Sequence, residues 1–338
     1  MEKLPCNIVY ITEKPVSLES VSLSTDTLEI NTPQATRQTL IALSSICNQV
    51  TCYEEIGDFC SNLAKHQNDL VFTTVYGRAA PSSKALVPAI CEANHIRYVG
   101  ADSYTQMLCN DKYLSKRYAK GYGIEGAKDV IIRRPDCEEE LAALASLRFP
   151  VIVKPNFGGA STGISKANVK HTLGETLEFA KELYAYHRLP VLVEEYIPGY
   201  EVELILLGNS HEMKLCHEVQ LIIEGETYYN NTIWGYETKR INDEGVSFFS
   251  SHHFQQDDIR RLVRLFQSFN KVEYMRIDCR TNEQGMKLIE LSPDCYLGED
   301  CAFYYAFAQH SHSFEDMIYA LVKNSLASQG GSMGYPLC

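Results

Sequence analysis

Two runs near the carboxyl end, Met275-Arg276-Ile277-Asp278-Cys279-Arg280 and Met286-Lys287-Leu288-Ile289-Glu290-Leu291-Ser292, flank the short link Thr281-Asn282-Glu283-Gln284-Gly285. Their alternating pattern predicts two strands of a hairpin, in which residues two apart share a face. Arg276 then points the same way as Asp278, and Glu290 the same way as Ser292. A hairpin centred on Gln284 sets Asp278 opposite Glu290 and Arg276 opposite Ser292. Directly opposed carboxylates repel. A hard divalent cation removes that penalty, and Mg²⁺ commonly uses one or two carboxylates with substrate phosphates. A register shifted by one would instead separate the acids on a solvated hairpin.

A second constraint is the strand Pro150-Val151-Ile152-Val153-Lys154-Pro155, which runs into Asn156-Phe157-Gly158-Gly159-Ala160-Ser161-Thr162-Gly163 and out into Ile164-Ser165. Glycines let backbone N–H groups approach phosphate oxygens, and a lysine adds a point charge. No Gly-Lys-Ser/Thr follows, so this is not a Walker A loop. A strand rather than a helix is expected after it, so it is not a dinucleotide fingerprint either. An ordinary hairpin connection reads the same way. The third segment, Val191-Leu192-Val193-Glu194-Glu195-Tyr196-Ile197-Pro198-Gly199-Tyr200-Glu201, is an apolar strand ending in acids; by itself it also describes a chain leaving the core for solvent.

The 338 residues are enough for two or three domains. Residues 7–11, 69–75 and 95–100 read as short buried strands, with helical spacing at 33–43, 52–65 and 85–93, which predicts a parallel α/β domain over 1–105. A central lobe is expected over 106–188. It holds a capped helix Lys112–Lys120, a strand at 129–133, an acidic helix at 135–147 and a helix Leu173–His187. A strand-rich lobe over 189–338 follows, with a helix at 255–269 and a capped C-terminal helix from about Ser313. Residues 224–250 are polar, aromatic and turn-rich, a candidate mobile loop closing over a site.

The net charge of −12 argues against nucleic acid and anionic membranes as partners. No apolar run reaches about 18 residues and the N-terminus lacks a signal-peptide layout, so a cytoplasmic location is expected. The 12 cysteines include no C-x-x-C pair and read as reduced, mostly buried thiols. His252-His253 and His310-x-His312 lack a further ligand at metal spacing.

Taken together, these segments resemble the ATP-grasp superfamily, and most closely its D-alanine-D-alanine ligase branch, over essentially the whole chain. The resemblance implies an N-terminal parallel α/β domain, two lobes clasping ATP between antiparallel sheets, and an α/β and α+β fold overall. It implies an enzyme that joins a carboxylate to an amine through an acyl phosphate, with ATP and Mg²⁺ as cofactors and a homodimer as a common state. Carried over by position, Lys112, Lys154 and the glycine-loop Ser161 meet ATP phosphates, Glu194 the adenine amino group, and Glu201 the ribose hydroxyls. Tyr236-Glu237-Thr238-Lys239 makes Lys239 the candidate for the γ-phosphate. Arg276 holds the reacting carbonyl oxygen, and Asp278, Glu290 and Ser292 the metal. Glu19, in Glu19-Ser20-Val21-Ser22-Leu23, takes a substrate ammonium.

The departures are informative. The family's metal strand ends in Glu-x-Asn, where this chain has Glu290-Leu291-Ser292, which puts one of two ions in question; Asp294 or Asp300 is a candidate replacement. The family's His-Gly-Arg is Tyr76-Gly77-Arg78 here, its paired loop serines are Ala160-Ser161, and its Asn-x-x-Pro-Gly-Met stretch is Ser292 to Gly298. A nucleotide site beside a rebuilt acceptor site implies amino-acid-like substrates other than D-alanine. The pocket segments read as neutral, which favours a small substrate. D-Alanine-D-alanine ligation with a divergent pocket and an inactive ATP-binding regulator are the alternatives.

Overall fold

The computed structural model describes residues 2–14, 29–76, 80–233, 235 and 245–329. Its first sheet is parallel, in the order β2-β1-β3-β4, from β1 (Asn7–Ile11), β2 (Gln49–Tyr53), β3 (Leu70–Thr73) and β4 (Arg97–Tyr98). In β1, Ile8, Val9, Tyr10 and Ile11 are all buried, the mark of a strand covered on both faces. Helix α1 (Pro33–Ile46) starts where Thr32 accepts from the Ala35 amide at 3.2 Å, with Pro33 in the first turn.

The helical spacing expected at 52–65 is only partly realised. Cys52 and Tyr53 belong to β2, because Val50, Thr51 and Tyr53 suit a pleated surface and pair with β1. Helix α2 is just Ile56–Ser61, with a 3₁₀ turn at Leu63–Lys65. Helix α3 (Leu86–Ala93) leads to β4.

Helices α4 (Ser103–Asn110) and α5 (Lys112–Lys120) are capped by Asp102 and Asp111. The second sheet is antiparallel, in the order β5-β8-β6-β7, from β5 (Asp129–Ile132), β6 (Val151–Pro155), β7 (Val169–Lys170) and β8 (Val191–Glu195). Helices α6 (Glu138–Ala143) and α7 (Leu173–His187) accompany it; a Thr172/Glu175 capping box starts α7 and Arg188, at φ 51°, ends it. The strand expected at Ile164-Ser165 forms later. Ser165 and Asn168 instead cap a 3₁₀ turn, and only then does edge strand β7 begin.

The third sheet is antiparallel, in the order β11-β10-β9-β12-β13, from β9 (Tyr200–Gly208), β10 (Met213–Ile223), β11 (Val246–Ser250), β12 (Tyr274–Asn282) and β13 (Gly285–Ser292). Helix α8 (Gln256–Gln267) precedes β12, and α9 (Ala302–Ala308) and α10 (Phe314–Gln329) follow β13. Residues 224–250 are therefore not loop throughout. Their end is β11, and Gly199 pairs with Tyr229 near their start.

One apolar core joins the first and third sheets: Tyr10 and Phe72 lie in the same cluster as Ile205, Leu207, Phe303, Met317 and Leu321. That packing brings the segment after β3 against the residues that follow β13.

Candidate active site

The hairpin β12–β13 pairs Asp278 with Glu290 and Arg276 with Ser292, as the alternation predicts. The turn is not centred on Gln284, however. Asn282 pairs with Gly285 around a two-residue turn, and a β-bulge leaves Ile289 unpaired between Glu290 and Leu288. On the other side Asp278 pairs with Glu203 of β9, so three carboxylates form one cross-strand row. The guanidinium of Arg276 spans this row, donating from Nε and Nη2 to the two Asp278 oxygens at 2.7 Å each, with Glu203 Oε1 at 3.4 Å. Burial works against its charge, but Asp278 and Glu203 raise its pKa well above the ordinary arginine value. Alternation was visible in the sequence for Arg276, Asp278 and Glu290; Glu203 was missed, since its partner strand is 75 residues away in the chain and only the sheet order unites them.

The glycine loop is stapled to the start of α5. Asn156 Nδ2 donates to Asp111 Oδ1 at 2.8 Å, the Tyr113 amide donates to Asn156 Oδ1 at 2.9 Å, and the Gly158 amide donates to Asn110 Oδ1 at 3.0 Å. Lys112, the first residue of α5, thereby reaches both the Gly158 carbonyl and Glu290, the latter at 3.0 Å. Burial acts to raise the Glu290 carboxyl, but Lys112, Lys84 and Lys154 outweigh it and hold the pKa at about 2, so the carboxylate is charged. Ala160 and Ser161 hold the left-handed region at φ 49° and 59°, a conformation that costs a non-glycine residue about 1 kcal/mol or more and concentrates at ligand-binding turns.

Between the second and third sheets lies a cleft of about 110 Å³, walled by Ile152, Lys154 and Phe157 on one side and Glu201, Arg280 and Ile289 on the other. The Thr162 hydroxyl, also on its wall, is buried without a hydrogen-bond partner. Lys154 and Lys116 converge on Glu194, which sits behind Lys154 rather than on the cleft wall. Burial, then Lys112, pulls Lys154 down to about 8, and burial, then Lys154, pulls Lys116 well below the ordinary lysine value. Glu201 is held by Arg280 at 2.8 and 3.1 Å; the same guanidinium donates to the Tyr196 hydroxyl and to the Ile197 and Thr232 carbonyls at 3.2 Å. No spacing rule marked Arg280, whose role emerges from the strand pairing Arg280 with Glu201.

Next to this cleft is a larger cavity of about 460 Å³. Gly159 and Glu290 border both spaces. Arg276 and Ser292 line the cavity, as do Tyr76 and the trio Glu29, Lys84 and Asp294. Lys84 Nζ lies 2.7 Å from Asp294 and 3.1 Å from Glu29. Burial raises the Glu29 carboxyl, and Asp294 and Glu29 keep Lys84 charged against burial. The expectation of a neutral pocket is thus overturned: charged residues from three distant parts of the chain meet in it, where no local pattern could announce them. Asp294 is engaged by Lys84, and Asp300 lines the cavity. Glu19 and Lys239 lie outside the described residues.

The residues present fit a nucleotide with Mg²⁺. Two ionisable carboxylates, Asp278 and Glu290, face each other beside the cleft that Lys112 and Lys154 enter, and one or two carboxylates with phosphate oxygens suffice for this ion. Apolar Ile152, Phe157 and Ile289 suit a base. Ser292, opposite Arg276, offers a hydroxyl at the third position.

A parallel α/β sheet followed by two antiparallel sheets enclosing such a cleft defines an ATP-grasp fold. The fold matches the D-alanine–D-alanine ligase of Bacillus anthracis complexed with ATP at a TM-score of 0.72, with 14% identity, covering 97% of this chain and 99% of that one. It also matches the VanG D-Ala:D-Ser ligase of Enterococcus faecalis at 0.67, with 18% identity, over 95% of this chain and 100% of the other. Among curated relatives, the D-alanine–D-alanine ligase of Mannheimia succiniciproducens is 26% identical over 75% of this chain and 80% of its own length. That of Halalkalibacterium halodurans is 27% identical over 76% and 82%. The family model described as "D-ala D-ala ligase C-terminus" matches residues 119–323. The chain belongs to this D-Ala-D-Ala ligase family, and by that membership it is an ATP-dependent, ADP-forming ligase.

Proposed function

We propose that this ligase forms an amide or peptide bond through an acyl phosphate, on an amino-acid-like substrate other than D-alanine. The observation that carries the reading is the shared wall: Glu290 and Gly159 border both the phosphate cleft and the larger cavity, and Arg276 lines the cavity beside them. ATP with Mg²⁺ supplies the γ-phosphoryl group and the charge that makes a carboxylate a usable acyl donor. In this reading Asp278 and Glu290 hold the ion, with Ser292 as a weak third ligand. Lys112, Lys154, Ser161 and Lys239 bind phosphates and Glu201 contacts the nucleoside, whereas Glu194, expected to take the adenine amino group, lies off the cleft wall and holds Lys154 from behind. Glu19 receives a substrate ammonium. Arg276 binds the carbonyl oxygen on which charge develops when the amine attacks, where such stabilisation contributes a few kcal/mol. Catalysis is then mainly positioning and charge neutralisation, with water kept from the acyl phosphate.

Support for a substrate other than D-alanine is the cavity itself: a charged trio and a volume of about 460 Å³, within the ~300–1,000 Å³ of sites for drug-sized ligands, exceed what two methyl side chains need. The same reading takes three lobes, 1–105, 106–188 and 189–338, a possible homodimer, and a cytoplasmic setting that the free cysteines suit. No described helix is long and apolar enough to cross a membrane.

ADP release is the test, measured with Mg²⁺ over pooled amino acids, dipeptides and amines, with D-alanine alone as a separate arm and Arg276→Ala as the blank. Turnover is expected from a pool lacking D-alanine and absent in the variant. Strong stimulation by D-alanine alone would overturn the substrate reading; unchanged activity of the variant would overturn the role of Arg276.

A further inference from the structure

Behind the phosphate cleft, two lysines share one carboxylate. Glu194 of β8 pairs with Ile152 of β6, two residues before Lys154, so Glu194 and Lys154 stand on one face of the second sheet and meet as an ion pair. Lys116, one turn along α5 from Lys112, reaches the same carboxylate over Gly126, where a β-carbon would lie 2.8 Å from the Lys116 Cδ. The side chains of Lys116, Glu194 and Lys154 are 3%, 6% and 5% exposed, so solvent cannot stand in for a missing partner. Of the three, only Lys154 lines the cleft.

The surroundings decide which amine carries the charge. Facing Lys116 are Glu194 from β8, Lys154 from β6, Asp129 from β5, and Lys112 and Arg117 from its own helix. Asp129 is engaged by Arg117, which donates to it at 2.6 Å, and Lys112 by Glu290 of β13 at 3.0 Å. Burial, then Lys154, keeps Lys116 well below the ordinary lysine value, while Lys154, brought to about 8 by burial and then Lys112, is mostly charged near neutral pH. Glu194 is thus paired with a charged Lys154 and touched by an uncharged Lys116. Phosphate upsets this division, because a Lys154 ammonium that turns into the cleft leaves a buried carboxylate without its cation.

We infer that Lys116 is a positioning residue for the nucleotide: when Lys154 turns from Glu194 to the phosphates, Lys116 takes a proton from solvent and becomes the counter-ion of Glu194. One proton enters per nucleotide bound, and no covalent bond to carbon or phosphorus changes. The inference rests on the reading that Lys154 binds phosphate, and adds to it the residue that frees Lys154 to do so.

Calorimetry of ADP binding with Mg²⁺ to the full chain, in buffers of different ionisation enthalpy at about pH 7.5, counts the protons taken up; the phosphates of ADP are already ionised there. At least about half a proton per nucleotide is expected. In K116M the uptake should fall below about a third of the native value and ADP affinity by at least about tenfold, with the thermal midpoint as the check that the variant folds. Adding E194Q should recover at least about fivefold of that affinity, because no carboxylate then holds Lys154 back; a merely structural Lys116 would leave the two losses additive. Native binding without proton uptake would overturn the inference whatever the variants do, and would leave the nucleotide site itself standing. Uptake that survives in K116M, or a double variant no tighter than K116M, would overturn it as well. Failure of ADP to bind at all would overturn the phosphate reading together with the inference.

Discussion

Asp278 and Glu290 face one another because Ile289 is squeezed out of register between Glu290 and the turn. Continued without interruption, the Asn282–Gly285 pairing would set Asp278 against Ile289 and turn Glu290 to the opposite face of the sheet. Deleting Ile289 alone closes the bulge and leaves Asp278 against Glu290, so Mg²⁺-dependent binding of an ATP analogue is expected to stay within about threefold, whereas deleting Leu288 and Ile289 together sets Glu290 against Cys279, on the opposite face, and is expected to weaken it by at least about tenfold. Calorimetry with and without Mg²⁺ checks this. Unchanged metal dependence after the double deletion would remove the facing of Asp278 and Glu290 from the account.

Glu290 gives a pH signature. Its folded pKa of about 2 lies below the ordinary glutamate value near 4.3, so as pH falls the unfolded chain takes up the proton first. The contribution to stability is complete above about pH 4.5 and is lost as pH falls toward 2. Glu290→Gln should flatten the acid limb of urea midpoint against pH over that window, by up to about 3 kcal/mol in unfolding free energy. Parallel acid limbs for the two proteins would contradict the pairing of Glu290 with Lys112.

These two cases show how far the sequence reaches. Period-two alternation named the hairpin and its opposed acids, and helical spacing placed a helix around Leu173 to His187, because both are local patterns. The bulge was not legible: nothing in Leu288-Ile289-Glu290 says which residue is extruded. Nor were Glu29, Lys84 and Asp294, which meet only because the Tyr10–Phe303 core docks the first sheet against the end of β13. The 52–65 misreading has the same origin, since β2 is a strand only by pairing with β1.

Arg280 ties Glu201 to three other groups in a buried network. Arg280→Met leaves the Glu201 carboxylate without its guanidinium, and a loss of about 3 kcal/mol in unfolding free energy is expected, partly restored by adding Glu201→Gln. Urea denaturation of the single and double variants reads this. Additive losses would show that the two side chains do not act as a pair.

Gly159 lies where the two spaces meet. A methyl group there would come within 2.4 Å of Glu29 Oε1 and 3.1 Å of Lys84 Nζ, so one partner of that ion pair must move. Gly159→Ala is expected to lower kcat/KM for the acceptor by about tenfold while leaving ATP-analogue affinity within about threefold. Steady-state kinetics beside calorimetry separates the two. An unchanged kcat/KM would mean that the trio does not shape the acceptor site.

The acyl phosphate is the most directly accessible claim, because its formation moves an atom. A donor found by the ADP-release screen is prepared with oxygen-18 in its carboxylate, turned over with ATP and the acceptor, and the released inorganic phosphate is weighed by mass spectrometry. If the carboxylate attacks the γ-phosphate, one heavy oxygen is carried into phosphate for each amide formed. Unlabelled phosphate, with both heavy oxygens retained by the donor, would contradict the mechanism and leave the protein hydrolysing ATP without activating a carboxylate.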